Sequence, residues 1–219
     1  MTWLYVLASV VLFAAPLAGP LAQTSGMALV MQALAEQTGV PNLVSGVILE
    51  ARLFDTIGEV VVFTLASIGV RQLFSDETKR SNIRSLTDLP SGVVCEQVAT
   101  ISSLVAVEMA LRGHLSPGGG FAAGVAGGTA IGLVLISGGS RFTAKLHKRW
   151  HADRWEKAAV LGFVLLAFLA LERISPGLGR FGGLLSGGWI PLLNLLVALK
   201  VTLGSWAMVQ RFIQYRGLL

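Results

Sequence analysis

"GHLSPGGGFAAGVAGGTAIG", residues 113–132, sits between two long apolar runs. A turn needs one glycine or two; this stretch offers a proline and a triplet before the next apolar run begins. Pro117 suits the first turn of a helix, where its missing N–H costs nothing. Gly118 and Gly119 free the backbone for a tight reversal. Gly120, Gly124, Gly128 and Gly132 then recur at every fourth residue and share one helix face, along which a neighbouring helix backbone can approach closely. The pattern predicts a rigid hairpin of two closely packed helices. No lysine follows at the spacing of a phosphate-binding loop, so phosphate is not the expected ligand.

The whole chain is 53% hydrophobic and 13% charged, with a mean hydropathy of +0.70. A soluble domain carries about a quarter charged residues. The expectation is an all-α, polytopic integral membrane bundle. The net charge of +5 belongs in that setting to loops at the cytoplasmic face, not to nucleic-acid binding. The single cysteine, Cys95, lies in an apolar run and offers neither a disulfide nor a metal spacing.

A helix needs about 20 mostly apolar residues to cross a bilayer. Six stretches qualify or nearly do: roughly 3–22, 56–73, 92–112, 118–138, 156–173 and 189–213. The first has small residues in "PLAGPLAQ" like those of a cleavage site. No Lys or Arg precedes Arg52, so it reads as a retained helix, not a signal peptide. With the N-terminus inside, Arg71, Lys79, Arg80, Arg84, Arg141, Lys145, Lys148, Arg149, Arg154, Lys157, Arg211 and Arg216 fall on the cytoplasmic side. Arg52, Arg112, Arg173 and Arg180 fall outside. That bias predicts both termini in the cytoplasm and about six spans. Residues 75–91, "SDETKRSNIRSLTDLPS", read as a cytoplasmic linker between a two-helix module (1–74) and a four-helix module (92–219). Within the outer segment 23–52, Met27, Val30, Met31 and Leu34 recur at helical spacing and predict a short helix.

The stretch "GHLSPGGGFAAGVAGG" resembles the signature of the MnhB-like subunits of the Mrp (Mnh) type multisubunit Na+/H+ antiporters, with a related motif in membrane-bound hydrogenases. The likeness runs from Val93 to Leu218 and includes "NLLVALKV". The front half, "MQALAEQTGVPNLVSGVILEARLFDTIGEVVV", resembles the small E subunit of those hydrogenases, equivalent to the C-terminal end of the large antiporter A subunit. Its "FDTIGE" corresponds to the family's FDTLGE. The family's preceding D-Y-R-G is here Glu50, Ala51, Arg52 and Leu53, a departure that bears on local turn geometry. The resemblance implies two normally adjacent subunits joined at 75–91. It implies a multi-pass component of a monovalent cation/proton antiporter, or of a related redox-driven pump, in a prokaryotic plasma (inner) membrane. The implied partners are the other subunits of that complex, the lipid bilayer, and Na+ and H+ as transported ions. The other reading is an assembly subunit that carries no ions. A stand-alone transporter is the weaker third, since the sequence has no internal inverted repeat. No catalytic chemistry of its own and no cofactor are expected: there is no CxxC, no haem or iron–sulfur ligand set and no nucleotide fingerprint.

Ionisable groups within a span cost several kcal/mol unless paired or hydrated. Five are candidates for an ion pathway. Asp55 and Glu59 lie four apart and share a helix face. Asp55 is also placed to cap that helix, while Glu59, a turn deeper, can exchange protons, hold a hard cation or make a structural hydrogen bond. Glu96 lies early in the third span, and Glu108 has Arg112 four residues on as an intrahelical partner. Lys200 is mid-span in "LLNLLVALKVTLG", too deep to snorkel readily, and is expected to pair with a carboxylate of the bundle or of a neighbouring subunit. Asn194, on the same helix, is placed to bond another helix. His147 and His151 are four apart in "RFTAKLHKRWHADRW", a basic segment suited to anionic lipid; no third metal ligand accompanies them.

Overall fold

The computed structural model describes residues 25–80, 88–174 and 176–217. The chain divides into two compact units, Met1–Ala33 and Leu34–Leu219. In the first, the described residues form the opening turns of helix α1 (Ser25–Thr38). The expected segment 3–22 lies outside the described residues, as does the middle of the linker, 81–87.

In the second unit a short helix α2 (Leu43–Gly46) runs into a π-helical turn (Val47–Ala51) and then α3 (Leu53–Leu73). Helix α4 (Leu89–Arg112) starts where Asp88 accepts a hydrogen bond from the Ser91 N–H at 3.2 Å, with Pro90 in the first turn. The reversal follows, with Gly118 at φ 157° and Gly119 at φ 143°, a conformation that favours glycine. Helix α5 (Gly120–Val134) ends in a π-helical turn (Leu135–Gly139). There Gly138, at φ 105°, breaks the helical path. The basic helix α6 (Ser140–Arg149), α7 (Ala152–Leu171) and the long α8 (Ile190–Arg216) complete the chain.

Among the described residues, four helical segments are long and apolar enough to cross a membrane: Leu53–Leu73, Leu89–Arg112, Gly120–Gly138 and Ile190–Arg216. Helix α7 has 20 residues, but Asp153, Arg154, Glu156 and Lys157 crowd its first turns. The bundle is built around α8. Half of its apolar window (50%) is buried against 17% for α3 and for α4, so the outer faces of α3 and α4 are open to lipid or to other chains. Leu193, Val197 and Val201 of α8 pack with Phe163 and Ala167 of α7, Leu53 and Val60 of α3, and Leu49 and Val40.

The glycine face of α5 meets α8. A Cβ added at Gly120 would lie 2.7 Å from Val197 Cβ, and one at Gly128 would lie 2.7 Å from Ser205 Cβ. One at Gly124 would collide with Val201, and Gly127, not singled out by its spacing, abuts Thr202. Gly132 departs from the expected stripe: nothing lies within 4 Å of a Cβ there. Gly132 faces away from α8, although Ile131 and Leu135 on either side of it still pack with Trp206, Leu203 and Ile213 of that helix.

Polar clamps hold the two ends. At the glycine-turn end, Asn42 Nδ2 donates to the carbonyl oxygens of Gly113 (2.6 Å) and Ser116 (2.8 Å). Ser45 Oγ donates to Gly113 O at 2.6 Å. Asn194 bonds another helix as expected, donating to Met109 O (3.2 Å) and Ala110 O (2.8 Å) at the end of α4. At the basic end, buried Phe74 stacks on Tyr215, Arg216 pairs with Glu77 at 2.6 Å, and Arg80 N–H donates to Gln214 O at 3.0 Å. The first part of the linker is therefore fastened to the end of α8.

A buried lysine–glutamate pair as the candidate site

Lys200 projects from the middle of α8, ten residues from its start, and is 1% exposed. At about 1.5 Å rise per residue that places it about 15 Å inside the helix end. Its Nζ donates to Glu156 Oε1 of α7, itself 7% exposed, and lies 5.4 Å from the centroid of the Phe63 ring of α3. Three helices thus converge on one charge. The expected carboxylate partner belongs to this chain. Glu156 is not among the sequence candidates, because it sits in a strongly charged helix start that reads as interfacial. The signal that could have found it is its periodicity: Glu156 shares a face with Ala152, Ala159 and Phe163, all buried.

The pair opens on one side into a cavity of about 310 Å³ lined by Thr64, Ser67 and Arg71 of α3 and by Lys157 and Val160 of α7. In dry hydrocarbon an unpaired lysine or glutamate would cost several kcal/mol.

The other candidates do not converge on it. Glu59 is exposed on α3 and lines a separate cavity of about 500 Å³ near the glycine turn, together with Thr56, Ser45, Gly118–Gly120 and Asn194. Asn194 Oδ1 is buried there without a hydrogen-bond partner. Asp55 does not cap α3. The helix starts at Leu53 with Arg52 in the capping position, and Asp55 within the first turn pairs with Arg52 at 2.6 Å. Glu96 is exposed at the rim of a third cavity, of about 520 Å³, walled by Ala130, Val134, Trp150 and Trp206. Glu108 pairs with Arg112 at 3.7 Å on the outer surface of α4, as its spacing predicts.

At the basic end, α6 stops at Arg149, and His151, at φ 51°, lies in the link to α7. The two histidines therefore do not share a helix face. His147 packs edge-on against Trp206 at 4.9 Å, with Nε2 4.0 Å from Asp153 Oδ1. Arg71 approaches the same oxygen at 3.5 Å. Among the described residues no group of three or more His, Cys, Asp or Glu is placed to hold a metal ion.

Residues 90–207, more than half of the chain, match the family model described as a domain related to the MnhB subunit of Na+/H+ antiporter. A probable K(+)/H(+) antiporter A/B subunit of Rhizobium meliloti (strain 1021) is 27% identical over 170 residues, 65% of this chain. The chain spans 16% of that relative's length. Two solved structures share the fold. A chain of the membrane-bound sulfane sulfur reductase, an archaeal respiratory membrane complex, superposes with a TM-score of 0.71 at 24% identity, covering 97% of both chains. A chain of the Mrp complex from Dietzia sp. DQ12-45-1b gives 0.66 at 21% identity, with 98% of this chain and 26% of that one covered. The chain belongs to the family of domains related to the MnhB subunit of Na+/H+ antiporters.

Proposed function

We propose that this protein is a membrane subunit of a multisubunit monovalent cation/proton antiporter and that the Lys200–Glu156 pair carries charge in its transport cycle. The observation behind this reading is an ion pair buried at mid-span beside a cavity, within a family described by antiport. A structural role alone would be served as well by apolar packing, since buried pairs seldom stabilise relative to hydrophobic replacements. Glu59 is a second member of the pathway, through the cavity it shares with Asn194. The chain has no catalytic chemistry of its own; it works with other subunits, which cover the open faces of α3 and α4. We read it as two modules joined at 75–91. The start of the family match at residue 90 supports that division, as does the joined "A/B" in the name of the R. meliloti relative.

The test is ion flux in proteoliposomes holding the whole assembled complex, normalised to its amount. Both Na+ and K+ are assayed, because the family description names one and the relative's name the other. Lys200→Ala, Glu156→Gln and Glu59→Gln are expected to assemble and to lose proton-coupled flux. The competing reading, an assembly element, rests on the wide apolar surface of α3 and α4. It predicts instead that breaking the pair costs about 3–5 kcal/mol, with yield falling while flux per complex holds.

A further inference from the structure

On the basic side of the pair lies a fourth cavity, of about 390 Å³, walled by polar side chains. His147, Asp153, Gln210 and Arg211 line it, with Lys79 and Tyr215 at the edge. It is separated from the Glu156–Lys200 cavity by a single turn of α7. Asp153 lines one space and Glu156 the other, three residues apart and on one helix face. Arg71 spans the division: it lines the inner cavity and lies 3.5 Å from Asp153 Oδ1. Opposite this turn, α8 presents Lys200, Gly204, Ala207 and Arg211 along one face. The missing side chain at Gly204 makes room for the Phe63 ring and the Glu156 carboxylate, and Ala207 lines the outer space. Asp153 Oδ1 is buried and lacks a hydrogen bond, although the Arg71 guanidinium and the His147 imidazole approach it.

We propose that His147 and Asp153 form the port through which protons pass between the basic end of the bundle and the Glu156–Lys200 pair. The proposal rests on the reading that this pair carries charge. A proton from the polar cavity protonates the His147 imidazole. It leaves from Nε2 to the Asp153 carboxylate and moves one helical turn to the Glu156 carboxylate, which then no longer holds Lys200 as an ion pair. The reverse sequence returns the proton, and no other reactant is consumed. The surroundings suit a relay. Burial lowers the His147 pKa below its ordinary 6.5; Asp153 opposes this, Arg211 reinforces it and Glu156 opposes it. The imidazole is therefore mostly neutral at neutral pH, ready to accept a proton and quick to release it. Lys79, Lys145 and Lys148 are further cations lining the same cavity.

The experiment uses the assembled complex in proteoliposomes, with His147→Ala, His147→Gln, Asp153→Asn and Glu156→Gln compared at equal amounts of complex. We expect both histidine variants and Asp153→Asn to lose proton flux by at least about tenfold. Imidazole added on the side of the basic end restores flux to His147→Ala, and the restored flux follows imidazole's own titration. Glu156→Gln loses flux that imidazole does not restore. Wild-type flux in both histidine variants, or a loss that imidazole leaves unchanged in an intact complex, overturns the port while the Glu156 result keeps the broader reading standing. Unaltered flux in Glu156→Gln overturns both.

Discussion

Gly204 stands against Glu156: a methyl group added to it would lie 3.2 Å from Glu156 Oε1 and 2.6 Å from the Phe63 ring carbon Cε1. The carboxylate, the ring and the Lys200 ammonium therefore fit together only because α8 carries no side chain at this point.

Gly204→Ala is expected to displace Glu156 or Phe63 and to weaken the contact with Lys200. Overpacking of this kind costs about 1–3 kcal/mol, so most of the complex still assembles. Proton flux per assembled complex falls, and a variant with normal flux and unchanged thermal stability would show that the close approach is incidental.

The glycine face of α5 makes a graded prediction. Gly124→Leu and Gly128→Leu place a branched side chain where Val201 and Ser205 of α8 already stand, and are expected to abolish recovery of the complex through a tagged partner protein. Gly132→Leu has open space before it and is expected to be recovered normally. Equal behaviour of the three would remove close helix packing as the reason for the glycines.

His114 gives a pH dependence outside the spans. It is fully buried in the turn between α4 and α5, and burial holds its pKa below 6.5, with the backbone of Gly183 and Leu184 pulling the other way. A histidine whose folded pKa is lowered contributes stability that is complete above its unfolded pKa and is lost as pH falls toward the folded value. Hydrogen exchange at the amides of residues 113–116 and 118–119, corrected for intrinsic rates, should therefore quicken as pH falls through and below about 6.5. His114→Gln should flatten that response; an unaltered slope in the variant would assign it to another group.

The helical spans were legible because period and length are written directly in the apolar pattern: α3, α4, α5 and α8 lie within a few residues of their expected bounds. Lys200 was legible because a charge in an apolar run has few explanations. Its partner was not. Glu156 lies among Asp153, Arg154 and Lys157, and one residue's burial cannot be told from composition when its neighbours on the same turn are solvated. The Gly132 expectation failed for a related reason. Residues four apart drift about 40° around a 3.6-residue helix at each step, so Gly132 has turned about 120° from Gly120 and off the α8 contact, which Gly127 joins instead. Asp55 was misplaced by three residues of helix start, enough to turn an expected cap into an ion pair with Arg52.

Helix α3 forms one wall of the cavity beside Lys200, and both its ends are fastened. Toward the glycine turn, Thr56 Oγ1 donates to Ile48 O at 3.1 Å, and the preceding residues are tied to Gly113 through Asn42 and Ser45. At the other end, Phe74 is seated between Phe212 and Tyr215. Mechanically, such a helix is a beam clamped at both supports. It cannot swing like a lid; it can only bow, and Gly58 and Gly69 leave free space along its length. Widening the space around Lys200 is thus a matter of flexure in the stretch that bears Thr64, Ser67 and Ile68, a small-amplitude motion whose stiffness is set by the two clamps rather than by the pair itself.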